Sequence, residues 1–362
     1  GQDQVFPPRG FEVVRITSDR LKPRDGSLLL RFTEELRELA YFDEVWLEAI
    51  DHPAGTEVYP DERFSMPPFP SGEPVAIGKD ARPPVRAYNA DGEDVLGKIK
   101  RVDREYPDPG RRIPYTGFTE GQTLIVDLGN VQEKQRVLLA LTGYLRWGYS
   151  SSLYAISQDK QVPGQWPSFS VINRDGTWKE ILPNYGFPAG KMKTMLVDLT
   201  GKFPTSDCRV RIETNMEIYW DRILVDTSLD LPEIRRQRAP LTAAHLHPRG
   251  YCKQSIVDGK ALSLPDYEDY DPVSPFPLQV GHFTRYGNVT KLLQTADDDL
   301  VVFNQGDEVA MAFDNSALPE IPEGWDRTYL VHVMGWVKDG DVNTIAGATV
   351  EPMPFGDMKE YP

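Results

Sequence analysis

The five histidines and two cysteines are the side chains of this chain best suited to metal or catalytic chemistry. His245 and His247 flank Leu246, and on a strand that spacing turns both imidazoles to one face, as some metal sites require. No third ligand is specified, so two exposed or hydrogen-bonded histidines is the plainer reading. His52 follows Asp51, but adjacent strand residues face opposite ways, so no carboxylate-oriented general base is implied. His282 and His332 stand apart and read as structural. Cys208 sits in a strand-like run and Cys252 follows the turn-like Arg249-Gly250, which leaves open a bridge or two buried free thiols.

Nucleophile and nucleotide signatures are missing. Gly148-Tyr149-Ser150-Ser151-Ser152 lacks the second glycine of a nucleophile elbow, and no phosphate-cradling glycine loop occurs. Carboxylate pairs for glycoside hydrolysis are not singled out, because 55 acidic residues allow countless pairs. Oxygen-rich turns say more. Lys338-Asp339-Gly340-Asp341-Val342-Asn343 places Asp339, Asp341 and Asn343 at alternate positions, the spacing that wraps a hard cation, so a structural Ca2+ is the one cofactor the sequence suggests. The turn lacks a later bidentate glutamate, and an ordinary polar turn is the competing reading. Asn89 to Asp94 offers a similar, weaker set.

Trp147, Tyr149, Tyr154, Trp166, Phe169 and Tyr185 fall near presumed loop or strand ends, where a flat apolar ring stacks on a sugar or a partner protein. Trp147, Tyr149, Trp166 and Tyr185 are the candidate ligand contacts. Against this stands the core: most of seven tryptophans in a β-rich chain are structural.

The elements that must position these groups are strands. From Cys208 to Val225 the text CRVRIETNMEIYWDRILV holds two β-length runs meeting at Thr214-Asn215, and reads as a half-buried antiparallel hairpin. In the second run Met216, Ile218, Trp220 and Ile223 suit one face and Glu217, Tyr219 and Asp221 the other, with a slip in phase near Arg222. Further runs are TLIVDLG, RVLLALTGYLRW, SFSVI and TWKEI around the turn Arg174-Asp175-Gly176, and KTMLVDLTG. SSSLYAISQDK has room for one short helix. Glu34 to Glu38 reads as an irregular crossing between two strands, and more strands are expected near Leu300 to Phe303, Glu308 to Phe313 and Thr328 to Val337.

Composition agrees. With 31 prolines and 29 glycines in 362 residues, many short strands joined by turns are expected. The predicted class is all-β with few short helices: a jelly-roll or galactose-binding-like β-sandwich plus a second β-rich domain. Residues 1–25 read as an opening strand or trimmed linker, because Val13, Val14 and Ile16 have no partner within hairpin distance. Residues 26–235 read as the sandwich region, with a proline-rich strap at 65–84 too irregular for regular structure, and 236–362 as the second domain, split at the charged text DLPEIRRQRAP. A formal net charge of −15 repels nucleic acid and anionic membranes. No run of ~18 apolar residues predicts a membrane span. The first residues lack the order of a signal peptide, which points either to the cytosol or to a mature or trimmed chain.

At the level of phrases the chain resembles a known region. EELRELAYFDEVWLEAIDHPAGTEVYPDERF, KTMLVDLTGKF, RVRIETNMEIYWDRI, FTRYGNVTKLL, GDEVAMAF, LPEIPEGW, GWVKDGDVNT and TVEPMPFGDMKEYP, together and in order, are similar to the region that follows FG-GAP/VCBS propeller repeats in large secreted bacterial proteins of the cartilage-acidic-protein-like set. The resemblance implies export, a secreted or extracellular/periplasmic location, a place beside a propeller domain or subunit, and binding rather than turnover. It assigns no catalytic residues, and the chain itself carries no FG-GAP repeats. The expected function is a noncatalytic cell-surface module contacting protein or glycan. The alternatives are a carbohydrate-active hydrolase with loop carboxylates, and a structural subunit of a filament or surface complex.

Overall fold

In a computed structural model of the chain, residues 10–66, 69–341 and 349–350 are described. The protein is all-β: among the described residues one α-helix and two short 3-10 turns interrupt a succession of antiparallel strands. The chain divides into two compact units. Unit 1 takes Gly1–Ala54, Ile234–Val257 and Ser263–Pro362, and unit 2 takes Gly55–Glu233 with Asp258–Leu262. Strands are numbered along the chain.

Unit 1 is a β-sandwich. One sheet sets β1 (Gly10–Thr17), β24 (Trp325–Asp339), β3 (Glu38–Pro53) and β16 (Arg235–Ala239) side by side, with β22 (Val301–Asn304) also on β3. The other orders β2 (Ser27–Thr33), β23 (Asp307–Asp314), β17 (Leu241–Pro248) and β21 (Gly287–Asn288). Period-2 alternation turns Val45, Leu47, Tyr329 and Val331 of the first sheet onto Leu28, Leu246, Val309, Met311 and Phe313 of the second. Removing those side chains from water stabilises the pairing of the layers. The partner that Val13, Val14 and Ile16 lack locally is β24, registered antiparallel from Gly10↔Gly335 to Thr17↔Thr328. Two smaller pairs complete the unit, β18 (Tyr251–Ile256) with β19 (Ser263–Asp271) and, in parallel, β20 (Val280–Gly281) with β25 (Thr349–Val350).

Unit 2 packs a five-stranded sheet on a three-stranded one. The larger runs β11 (Trp178–Leu182), β10 (Ser168–Ile172), β14 (Arg209–Met216), β8 (Phe118–Asp127), β7 (Arg86–Asn89); the smaller runs β13 (Lys193–Asp198), β9 (Leu138–Leu145), β15 (Ile218–Asp226). From β8 to β9 to β10, and again from β13 to β14 to β15, the chain crosses from one sheet to the other. Those crossings and the five-on-three layering define a jelly-roll, galactose-binding-like sandwich. Leu124, Phe169, Val210 and Ile212 meet Leu141, Val197, Trp220 and Ile223 in its core. The short helix α1 (Ser150–Gln158) follows β9, within the expected SSSLYAISQDK segment.

Two local expectations need correction. The runs either side of Thr214-Asn215 are strands, but they are not a hairpin: β14 pairs with β8 and β10, whereas β15 pairs with β9 in the opposite sheet. The chain turns a sandwich corner there, so the second face of a run read as half-buried is buried as well. Glu217 and Asp221 are 0% exposed and Tyr219 4%. The slip in phase is real, since the register of β15 on β9 shifts between Trp220 and Arg222, a β-bulge at Asp221. Within the proline-rich strap, Val75–Ile77 forms a strand, β6, on β4 (Glu57–Tyr59), because burial of Ala76 and Ile77 outweighs the surrounding prolines. The strap is also preceded by β5 (Arg63–Phe64), which pairs with β12 (Phe187–Pro188).

Candidate functional site

One end of the unit 2 sandwich collects the exposed rings. The Arg146 N–H donates to the Glu217 carbonyl, and the Glu217 N–H donates to the Gly117 carbonyl. The Asn215 side chain accepts from the Gln165 N–H at 2.7 Å and donates to the Pro163 carbonyl at 2.9 Å. Leu145 N–H reaches the Gly190 carbonyl, and Tyr185 N–H the Pro167 carbonyl. The loops following β9, preceding β8, joining β12 to β13 and turning the β14–β15 corner are thus tied together. Glycine makes the approach feasible: a Cβ on Gly148 would lie 2.4 Å from the Thr116 carbonyl oxygen.

On this frame Trp147 and Tyr149 are 37% and 39% exposed, and Leu153 and Tyr154 on α1 are exposed beside them in sequence. Trp166 is half-buried against the core, edge-on to Phe187 at 5.0 Å and to the exposed Phe64 at 5.9 Å. Tyr185 is held more firmly. Arg63 stacks over its ring at 3.8 Å and its hydroxyl donates to the Leu196 carbonyl at 2.9 Å. The four aromatic candidates therefore share one end but divide in role: Trp147 and Tyr149 present exposed rings, whereas Trp166 and Tyr185 are packed into the core. Phe64 joins this surface, and sequence reasoning missed it because its neighbours in the strap are prolines.

Behind the rings lies a charged anchor that the sequence did not indicate. Glu217 accepts from Arg112 Nε at 2.8 Å, from Arg146 at 3.1 Å and from the Tyr219 hydroxyl at 2.7 Å. Tyr219 stacks on Tyr144 at 4.7 Å, and Tyr106 stands edge-on to both. Burial, then the bond to Glu217, pushes the Tyr219 hydroxyl up to about 12. Burial and a 2.5 Å bond to Asp258 likewise push Tyr144 well above the tyrosine range. These phenols keep their protons at neutral pH, so they hold shape rather than move protons. Asp221 spends its carboxylate on the backbone N–H groups of Asp103 and Arg104.

The remaining candidates lie elsewhere. Asp339 ends β24, and its Oδ1 accepts the Asp341 N–H at 2.7 Å, closing an Asx turn; Asn343 lies outside the described residues. The rings of His245 and His247 share a face of β17 at 5.7 Å, with His247 Nε2 3.3 Å from Glu308. Among the described residues no group of three or more His, Cys, Asp or Glu is placed to hold a metal ion. Cys208 and Cys252 are both free and buried. Burial, then contact with Glu35, pushes the Cys252 thiol up to about 12. Among the described residues no helix is long and apolar enough to cross a membrane.

No family model matches the chain, and no curated protein matches it. Two solved structures are weakly similar. One is described as "The Triple Jelly Roll Fold and Turret Assembly in an Archaeal Virus", 10% identical, covering 95% of this chain and 91% of that one with a TM-score of 0.14. The other is "VP17, a capsid protein of bacteriophage P23-77", 8% identical, covering 91% and 96% with a TM-score of 0.10. At such scores long stretches are aligned without being superposed, and neither role is carried to this protein.

Proposed function

We propose that this chain is a noncatalytic, extracellular binding and assembly module that contacts a protein or glycan through the aromatic end of its unit 2 sandwich. The observation that carries the reading is the exposure of Trp147, Tyr149 and Phe64 on loops tied together at one end of the sandwich, with Phe64 packed on Trp166 and Phe187. Rings held in place lose little freedom on binding, which is what a contact surface needs. The propeller domain or subunit implied by the resemblance is one candidate partner. Pull-down from cell-envelope fractions and a glycan array, run with the parent chain and with Trp147→Ala/Tyr149→Ala, test the proposal. Retention of a ligand by the parent and its loss in the variant are expected; equal retention by both overturns it.

A second reading, a subunit of a larger surface complex, is favoured by the apolar side chains that unit 1 leaves bare. Ile256, Val273, Leu278 and Val280 are 60%, 71%, 54% and 64% exposed. Light scattering that returns only the monomer mass up to high concentration would remove this reading.

A further inference from the structure

Exposed large apolar side chains are not scattered over this molecule. Among the described residues most of them fall in two places. One is the aromatic end of unit 2, where Met66 and Phe69 follow the exposed Phe64 and where Trp147, Tyr149 and Tyr154 are bare. The other is the β18–β19 ribbon of unit 1 with the chain that follows it, where Ile256, Tyr267, Tyr270, Val273, Leu278 and Val280 are bare. A water-soluble surface seldom gathers apolar groups in this way unless something covers them.

The ribbon shows the need for cover most plainly. Residues 253–256 of β18 and 266–271 of β19 are exposed throughout, so neither face of this part of the ribbon lies on a core. Two strands alone are marginal in water, and a further element packed over one face is what ordinarily stabilises them. The ribbon is also acidic, with five Asp and Glu against Lys253 and Lys260 between residues 251 and 271. The aromatic end is built the other way. Arg112 and Arg146 keep 49% and 36% of their side chains in water, while the Glu217 that both pair with is wholly buried. Lys191 is exposed next to Gly190, whose carbonyl takes the Leu145 N–H. Asp159, after α1, has one oxygen on the Tyr115 hydroxyl at 2.8 Å and the other on the Gln161 N–H at 2.7 Å. The rim of this end is therefore cationic around an apolar centre, in a chain of net charge −15. The two surfaces match in their apolar centres and oppose each other in charge, the arrangement that selects a partner and fixes its orientation.

We infer that the aromatic end of unit 2 receives the β18–β19 ribbon of a second copy of this chain. The inference rests on the reading of that end as a contact surface and supplies its partner. The two surfaces differ, so the contact is heterologous: every copy offers one of each, and copies join into a chain or a closed ring. The test is sedimentation of the full chain over a range of concentrations, for the parent, for Trp147→Ala/Tyr149→Ala and for Ile256→Ser/Val273→Ser, all exposed positions at which the melting temperature should hold. The parent should form dimers or larger species, and each variant alone should stay monomeric. Each variant keeps the surface that the other has lost, so an equimolar mixture of the two should form heterodimers. Glu268→Lys, which reverses one charge of the ribbon, should weaken association of the parent about fivefold. A parent that is monomeric at every concentration, assembly by Trp147→Ala/Tyr149→Ala alone, a mixture that stays monomeric, or unchanged association of Glu268→Lys overturns the inference. If the parent is monomeric yet retains a cell-envelope or glycan ligand that Trp147→Ala/Tyr149→Ala loses, the proposed function stands and the second copy as its partner fails.

Discussion

Two buried ion pairs, one in each sandwich, are built in opposite ways. In unit 1, Asp51 and Arg327 form a two-bonded pair at 2.6 and 2.8 Å, with both residues almost completely buried, at 3% and 5% exposure. In unit 2, Glu217 is as deep, yet its partners Arg112 and Arg146 keep 49% and 36% of their side chains in water. A dry pair locks two strands, with the Arg327 guanidinium held further by its bond to the Pro319 carbonyl at 2.9 Å and shielded from exchange with water. An anchor with solvated arginines instead ties a loop end to the frame while leaving its outer side wet. That is where the exposed rings of unit 2 gather, and the difference separates a frame from a surface.

The largest expected effect breaks the dry pair. Asp51→Ala strands the Arg327 guanidinium and should destabilise the protein by ~3–5 kcal/mol in urea unfolding. Glu217→Ala should be milder, about 2 kcal/mol, because Arg112 and Arg146 can turn further into solvent. Equal losses for the two variants would erase the contrast.

Acid–base behaviour sharpens the comparison. Burial, then the charges of Asp339 and Glu12, pushes the Glu38 carboxyl of unit 1 up to about 7, and burial, then Glu38, pushes Glu34 up to about 8. An unfolded glutamate titrates near ~4.3, so between these values the folded chain holds more protons than the unfolded one. Their contribution is therefore complete below about pH 4 and is lost as pH rises through 7 to 8. Urea midpoints should fall from pH 5 to pH 8, and Glu38→Gln should flatten that slope; an unchanged slope would refute the assignment. The smallest expected effect is at the unit 2 rings, where Trp147→Ala should shift stability by no more than ~0.5 kcal/mol while removing the partner.

Much of the body is legible in the sequence. The strands over RVLLALTGYLRW and KTMLVDLTG, the turn at Arg174-Asp175-Gly176 and even the phase slip at Arg222 follow from alternation, which is local. Pairing is not local. Nothing near Thr214-Asn215 says that β14 and β15 join opposite sheets, and that choice alone turns Glu217 from a solvent residue into a buried anchor. Alternation separates two faces without saying which one is covered, and Arg112 and Arg146 lie too far away in sequence to announce their partner. Trp147 and Tyr149 stood out because they follow a strand end. The β18–β19 ribbon did not, since the exposure of both its faces shows only once its strands are placed.

The antiparallel zipper between β1 and β24 has a consequence for how the molecule is made. Unit 2 draws nearly all of its residues from one uninterrupted stretch, so it can mature while synthesis continues. Unit 1 cannot: its first strand must wait until residues 328 to 335 have left the ribosome. During that interval β1 and β3 leave ladder edges open to any neighbouring nascent chain, and protecting them falls to chaperones or to the speed of translation itself.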